Sequence, residues 1–299
     1  MSTALERLGR VGVWSSGVAN RPAAELREAL PEVEALGYSV IWIGEAFSRE
    51  SMSASALALS WTEELVVATG ITNVYARDSS ATRAGAATLG EAFPGRFLLG
   101  LGCSHQRPVE LRGQTYGPPL TTMRAYLDGM DEAIYNGPEP AERVPVVLAA
   151  LGPKMLDLAR DRTDGAHPYF VPVEHTAQAR ERLGPGKLLV PEQAVILTDD
   201  ESRARELARE HVAFYMTAPN YRNSMLRLGF DEADLEDGGS ERLQDAVVAW
   251  GDEDAIRDRV KAHLDAGADH VCIQTLPSGE LDVNALRRLA PALLDLGSD

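Results

Sequence analysis

One joint recurs along this chain: a helix-like segment, then a glycine, then an apolar run. Ala35-Leu36-Gly37-Tyr38 leads into Val40-Ile41-Trp42-Ile43, and Phe93-Pro94-Gly95 leads into Phe97-Leu98-Leu99. Thr163-Asp164-Gly165 leads into Tyr169-Phe170-Val171, and Asp265-Ala266-Gly267-Ala268 leads into Val271-Cys272-Ile273. A glycine there relieves the left-handed conformation that many helix ends adopt. The repeated order helix, glycine, strand predicts β/α units and a parallel sheet. Strands are expected at about 11–15, 39–43, 65–71, 96–102, 145–150, 166–171, 188–197 and 270–275. Several are apolar on consecutive positions, as strands covered on both faces should be.

Eight such units in 299 residues fit a closed (β/α)8 TIM barrel, which typically takes roughly 250 residues. The expectation is one domain spanning 1–299, with about 200–249 as a helical insertion between strands seven and eight. Leu26, Leu30, Val33 and Leu36 share a helical spacing over 23–36, and Pro31 inside that segment predicts a kink or a split. The rival is an open doubly wound sheet. Its G-x-G-x-x-G fingerprint is missing after the first strand, and Gly100-Leu101-Gly102 is only a G-x-G after the fourth.

Composition narrows the function classes. A formal net charge of −16 argues against nucleic acid and anionic membranes as partners. No apolar run approaches the roughly 18 residues that span a bilayer. Glu6, Arg7 and Arg10 interrupt the N-terminal segment before a signal-peptide core develops, so a cytoplasmic location is expected. Cys103 and Cys272 are too few for a disulfide framework and read as reduced thiols. The six histidines form no H-x-x-x-H pair, so no metal is expected. Neither G-x-S-x-G nor G-x-x-x-x-G-K-[ST] occurs.

In a barrel of this kind the chemistry sits at the C-terminal ends of the strands. Those ends carry Trp14-Ser15-Ser16, Gly44-Glu45-Ala46, Gly70-Ile71-Thr72-Asn73-Val74-Tyr75, Gly102-Cys103-Ser104-His105, Leu151-Gly152-Pro153-Lys154-Met155, His167-Pro168-Tyr169, Thr198-Asp199 and Gln274-Thr275. Gly152–Met155 opens a helix, where free N–H groups and the helix dipole suit a phosphate and Lys154 adds a point charge. The competing reading is an ordinary strand-to-helix turn with a solvated lysine. Gly102 allows close approach, Ser104 can donate a hydrogen bond, and His105 can carry a proton near neutral pH. A loop histidine of purely structural use competes with that role. Nothing in the sequence activates Cys103 as a nucleophile. Glu45 is a candidate general acid, against the reading of a capping or salt-bridged carboxylate. Trp14, Tyr75, His167 and Tyr169 are candidate walls of a substrate pocket, against plain core packing.

Four segments carry a family resemblance: GYSVIWIGEA (37–46), ATGITNVYARD (68–78), RFLLGLGCSH (96–105) with LAALGPKMLDLA (148–159), and WGDEDAIRDRVKAHLDAGADHVCIQ (250–274). In order and spacing they resemble the luciferase-like monooxygenase superfamily, especially its coenzyme F420-dependent oxidoreductase branch. The resemblance implies a cofactor at the C-terminal mouth of a dimeric barrel. It also implies a non-proline cis peptide at Gly70-Ile71 behind the deazaflavin ring, with Asn73 near the ring carbonyls and the phosphate near Leu151–Met155. An ordinary trans strand end is the competing reading at Gly70. Related F420 enzymes sometimes carry histidine after the position of Glu45, and Ala46 departs from that pattern. The implied activity is hydride transfer between F420 and a small organic substrate, with Glu45 or His105 handling the proton. FMN with dioxygen, a non-catalytic cofactor-binding protein, and a phosphate-binding lyase or isomerase are the alternatives. Loops 104–119 and 200–249 are expected to shape the substrate pocket.

Overall fold

The computed structural model describes residues 3–297. Its strands, in chain order, are Val11–Trp14 (β1), Val40–Ile43 (β2), Val66–Thr69 (β3), Thr72–Asn73 (β4), Phe97–Gly102 (β5), Val146–Leu148 (β6), Gly165–Ala166 (β7), Leu188–Leu189 (β8), Glu192–Leu197 (β9), Val248–Gly251 (β10) and Val271–Thr275 (β11). All pairings are parallel. β1 lies between β11 and β2, and the series continues through β3, β5, β6, β7 and β8. Only Val190 and Pro191 separate β8 from β9, and β9 pairs with β11. Segment 188–197 therefore acts as one strand, and the circuit closes as a (β/α)8 barrel.

Alternate positions on each strand face inward. Trp14, Val40, Trp42, Val66, Ala68, Leu98, Val147, Val190 and Cys272 form the barrel's interior cluster, and Ala4 and Leu8 join it from the N-terminal segment. The opposite faces pack under the surrounding helices, for example Ile41, Val67 and Leu99 with Leu59, Leu89 and Leu127. Burial on both faces is what the continuous apolar runs require. Gly37 and Gly267 take φ values of 96° and 101° at helix ends, the backbone state that the recurrent joint called for.

Three expectations need correction. The Ala23–Ala35 helix runs through Pro31 without splitting. The proline frees the Arg27 carbonyl on an exposed stretch, where water can serve it. The sixth strand is far shorter than 166–171. It ends at Ala166, because Pro168 has no N–H to pair and Phe170 turns to φ 56°. The insertion is mostly helical, as the sequence indicated, with helices Glu201–Met216, Pro219–Arg227 and Glu241–Val247. It ends in a strand, however. β10 pairs with residues 194–197 on the edge opposite β11. It takes the place the shortened sixth strand leaves open and satisfies backbone groups that would otherwise be bare. The insertion has its own apolar cluster, in which Leu207, Val212, Met225 and Leu243 meet Phe170, Ala194 and Ile196 of the barrel.

Four buried histidines give the fold a specific acid sensitivity. Burial pushes His167 and His270 down to about 4, and His211 and His263 down to about 3. Their unfolded-state value is near 6.5, so the unfolded chain binds the extra protons first. The share of the stability that these four rings contribute is complete above about pH 6.5 and is lost as pH drops toward 4. Thermal melts between pH 7 and 4.5 are expected to show a monotonic fall in Tm; a flat profile in that window would show that these rings are not buried neutral.

Candidate active site at the barrel mouth

The cis peptide expected at Gly70–Ile71 is present. It follows β3, and its surroundings are shaped by missing side chains. A Cβ on Gly70 would lie 2.7 Å from Trp14 Nε1 and 2.9 Å from His167 Nε2. On Gly102 it would lie 2.5 Å from the Ile71 side chain, and on Gly44 2.9 Å from the Trp14 ring. Glycine is therefore the residue that fits at three adjacent inward positions. Trp14 Nε1 donates to the Gly70 carbonyl at 2.9 Å, and its ring packs 5.1 Å from that of Tyr169.

His167 and Glu192 are the unusual groups of this interior. His167 is 1% exposed and stacks on Trp42 with ring centroids 4.6 Å apart. Its Nδ1 lies 2.8 Å from the Val190 carbonyl, which can only accept, so Nδ1 carries the proton. The Nε2 lone pair that faces Gly70 then has no partner among the described residues. Glu192, also 1% exposed, accepts from the Phe170 N–H at 3.1 Å through Oε2, while Oε1 is unbonded. Burial pushes its carboxyl up to about 8. It is a neutral acid at pH 7, with its proton naturally on the free oxygen.

A directed hydrogen-bond chain closes the mouth. The Tyr169 hydroxyl donates to Gln274 Oε1 at 2.5 Å, so the Tyr215 hydroxyl, 2.6 Å away, donates to Tyr169. Tyr215 and Tyr221 come from the insertion and lie with Phe170 and Tyr169 in one cluster of aromatic rings. His105 joins from the loop after β5. Its Nδ1 lies 3.1 Å from Asn220 Oδ1 and its ring 5.5 Å from that of Tyr221.

Other sequence candidates sit apart from this cluster. Glu45 accepts from the Ser51 and Asn73 N–H groups at 3.1 and 2.7 Å and forms a bidentate pair with Arg77, which also reaches Glu50. The carboxylate is fully engaged, matching the salt-bridged reading and leaving no free oxygen for a proton carrier. Asn73 Oδ1 is likewise committed, accepting from the Tyr75 N–H. Thr72 Oγ1 pairs with Ser51 Oγ at 2.9 Å. Tyr75 turns away to Tyr116, Gly117 and Thr122, so it does not join Trp14 and Tyr169. Cys103 donates to the Pro119 carbonyl, and burial pushes its thiol up to about 12, the wrong direction for a nucleophile. Ser104 takes φ 57° at the strand end.

Leu151 to Met155 form the start of the Pro153–Arg162 helix, with Gly152 as N-cap and no side chain capping it. The Leu151 carbonyl accepts from His175 Nε2 at 2.9 Å. Neither the Lys154 side chain nor that of Arg227, which lies beside Gly152, has a hydrogen bond or ion pair among the described residues. Those residues also contain no group of three or more His, Cys, Asp or Glu placed to hold a metal ion, and no helix long and apolar enough to cross a membrane.

The family profile of the luciferase-like monooxygenases matches residues 8–270. The chain belongs to that family. Among its relatives is the 5,10-methylenetetrahydromethanopterin reductase of Methanolobus tindarius, 25% identical over 296 residues, which cover 85% of this chain and 91% of that one. A putative coenzyme F420-dependent oxidoreductase of Mycobacterium tuberculosis is 24% identical, covering 69% and 71%. Among solved structures, the coenzyme F420-dependent tetrahydromethanopterin reductase of Methanopyrus kandleri superposes with a TM-score of 0.78 at 18% identity, covering 97% and 99%. At such identity the likeness speaks for the luciferase-like fold alone.

Sequence reading missed Glu192, Arg227 and the partners of Glu45. A signal for Glu192 was present: a carboxylate inside Leu188-Leu189-Val190-Pro191-Glu192-Gln193-Ala194-Val195, a run apolar enough to be buried on both faces. For Arg227 there was none, since it lies 75 residues from Gly152 in sequence.

The raised Glu192 value makes a stability prediction. Between the ordinary carboxylate value near 4.5 and about 8, the folded protein holds a proton that the unfolded chain has lost. Stability therefore declines as pH rises through that window and levels off above it. Glu192→Gln has no proton to lose, so its Tm relative to the parent should climb from pH 5 to pH 8.5. A constant difference would remove the case for a buried neutral acid.

Proposed function

We propose that this protein is an oxidoreductase that transfers a hydride between coenzyme F420 and a small organic substrate at the barrel mouth. The observation that carries the reading is Glu192: a neutral carboxylic acid in the barrel interior, with one oxygen unbonded. A hydride transfer to a carbonyl or imine carbon needs a matching proton, and an acid poised near neutral pH suits that task. A named relative supports the cofactor, since the Mycobacterium tuberculosis protein is described as a putative coenzyme F420-dependent oxidoreductase.

The residues present fit such a group. The glycines at 44, 70 and 102 leave a floor without side chains, and the His167 Nε2 lone pair awaits a donor. The Gly152 and Lys154 N–H groups have no backbone partner, while the Met155 N–H is spent on the Gly152 carbonyl; the two free groups, with the Lys154 ammonium, suit a phosphate. The bound deazaflavin supplies the hydride. The protein does the rest. Gly70, Ile71 and Trp14 support one face, and the aromatic cluster around Tyr169 and Tyr221 excludes water. Glu192 gives the proton in reduction and takes it back in the reverse direction. Glu45 with Arg77 braces Asn73 and the chain around it, and His105 holds the insertion through Asn220. Neither is the proton carrier in this reading.

We assign the protein to the cytoplasm, where the buried thiols Cys103 and Cys272 stay reduced. We also propose a homodimer, through the Ser51–Trp61 helix. That helix carries no charged residue and exposes Ser53, Leu57 and Ser60. Leu57→Glu is expected to shift the protein from dimer to monomer in sedimentation experiments; a monomeric parent would end that proposal.

Fluorescence titration with coenzyme F420 and, separately, FMN tests the cofactor. Micromolar binding of F420 with much weaker FMN binding is expected. Preference for FMN would move the reading to an oxygen-using monooxygenase, and binding of neither would end the redox assignment. With a turned-over substrate, Glu192→Gln should lower kcat by about 10²-fold or more. The parent's reduction rate should fall as pH rises through about 8. Tight F420 binding with no turnover across a carbonyl and imine panel would favour a non-catalytic binding protein.

A further inference from the structure

Three tyrosines share the ring cluster at the barrel mouth, and their hydroxyls are used differently. Tyr169 donates to Gln274 and Tyr215 donates to Tyr169, while the Gln274 side-chain amide donates to Ser278 Oγ at 2.9 Å. That chain is complete without Tyr221. Tyr221, from the Pro219–Arg227 helix, is 6% exposed, and its ring meets those of Phe170, Tyr215 and His105 at 5.4, 5.1 and 5.5 Å. Its hydroxyl has no hydrogen-bond partner among the described residues. The fully enclosed polar atoms that lack a partner include Glu192 Oε1 and His167 Nε2 but not the Tyr221 oxygen. The small open part of this side chain therefore includes its hydroxyl. Phenylalanine would pack the same rings without leaving a donor unserved, and an unserved donor in an aromatic cluster costs stability.

The Tyr169–Phe170 turn links Tyr221 with Glu192. The Phe170 N–H donates to Glu192 Oε2 at 3.1 Å, and the Phe170 ring stands edge-on to Tyr221. Burial first, then Tyr215 and Glu192, hold the Tyr221 hydroxyl well above its ordinary range, so it keeps its proton at any working pH. It can give a hydrogen bond and is no acid. The side chains around it carry no charge at pH 7: Tyr169, Phe170 and Tyr215 are neutral, and burial holds His105 below its ordinary range. Glu192 carries its proton on the unbonded Oε1. A bound molecule thus meets two neutral donors and no ion. A carbonyl oxygen has two lone pairs and can accept from both. An imine nitrogen has one lone pair and an iminium nitrogen has none. A charged substrate would find no counter-ion to offset its desolvation.

We propose that the Tyr221 hydroxyl donates a hydrogen bond to the substrate oxygen, and that the substrate is a neutral aldehyde or ketone, not an imine. The inference rests on the hydride-transfer reading and names the substrate class of that site. The hydride supplied by the reduced cofactor forms the new C–H bond. The π pair of the C=O bond moves to oxygen, and oxygen takes the Glu192 proton to become a hydroxyl. The carbonyl ends reduced to an alcohol, the cofactor ends oxidised, and Glu192 regains its proton from water. Tyr221 keeps its own proton and steadies the negative charge that grows on oxygen, the task of an oxyanion donor. That charge is larger in the transition state than in the bound ketone, so loss of the hydroxyl falls on kcat more than on KM.

The test pairs turnover with binding, on the parent and on Tyr221→Phe, which keeps the ring and its packing. Reduced coenzyme F420 would be offered carbonyls (cyclohexanone, acetophenone and benzaldehyde) and imines (a pyrroline and a dihydroisoquinoline), with its oxidation followed by absorbance. Isobutyramide, whose carbonyl accepts two hydrogen bonds and takes no hydride, would be titrated into the F420-bound protein and followed by deazaflavin fluorescence. The parent is expected to reduce the carbonyls about 10-fold faster than the imines, or more. Tyr221→Phe is expected to lower kcat for carbonyls by about 10²-fold and to weaken isobutyramide binding by about 10-fold, with F420 binding and Tm unchanged. Faster turnover of imines than of carbonyls would overturn the substrate class and leave the hydride-transfer reading intact. Parent-like kcat or parent-like isobutyramide binding in Tyr221→Phe would overturn the donor role in the same way. A loss of F420 binding or of Tm in step with the lost rate would make Tyr221 a packing residue and overturn the proposal. A parent that binds no F420, or binds it and turns over neither panel, would overturn the hydride-transfer reading and the inference with it.

Discussion

Segment 188–197 is the constraint on which this structure depends. A parallel barrel has no free edge only if its last strands pair on both sides, and every unpaired backbone group in a buried wall is costly. Here the closing strand meets β7 through Leu188 and Leu189 and meets β11 through residues 192–195. Pro191 sits in its middle. It has no N–H to give, and its carbonyl accepts from Cys272. Above the end of β7 the same edge is completed by β10, the last piece of the insertion. The insertion is therefore a part of the barrel wall as well as its cover.

That closure also sets the chemistry. It points Val190 and Glu192 into the barrel, the one as core and the other as an acid with nowhere to ionise cheaply. The shortened sixth strand is the other half of the arrangement. Because Phe170 leaves the sheet at φ 56°, its N–H is free to meet Glu192 Oε2, and its ring enters the insertion core. A backbone in that region is uncommon for a bulky residue and persists only where packing enforces it. The packing here is the aromatic cluster shared with His211, Tyr215 and Tyr221.

Two carboxylates show how position decides role. Glu45 lies just past β2, a place where strand-end residues face the mouth, and its sequence position fits a general acid as well as a capping or salt-bridged carboxylate. Its neighbours Ser51, Asn73 and Arg77 take up both oxygens. Glu192 lies mid-strand in an apolar run, where ionisation is penalised by burial and only one backbone donor offsets it. The first is held as a charged brace and the second as a neutral acid. Residue type and strand position alone do not separate the two outcomes; the count of donors around each carboxylate does.

The sequence by itself determined the barrel. The glycine joints, the consecutive apolar strands and the helical spacings between them are local signals, because hydrophobic period and turn chemistry act over a few residues. The glycines at 44, 70 and 102 and the helix start at Gly152 were legible for the same reason. What only the tertiary structure decided involves partners far apart in the chain. Arg77 reaches back 32 residues to Glu45, His105 meets Asn220 115 residues away, and β10 returns to β9 across the whole insertion. Whether a polar side chain is spent on a neighbour or left unbonded depends on such long-range company. That is why the frame of the site could be read from the sequence while the states of its carboxylates, Glu45 braced and Glu192 left with one free oxygen, emerged from the fold.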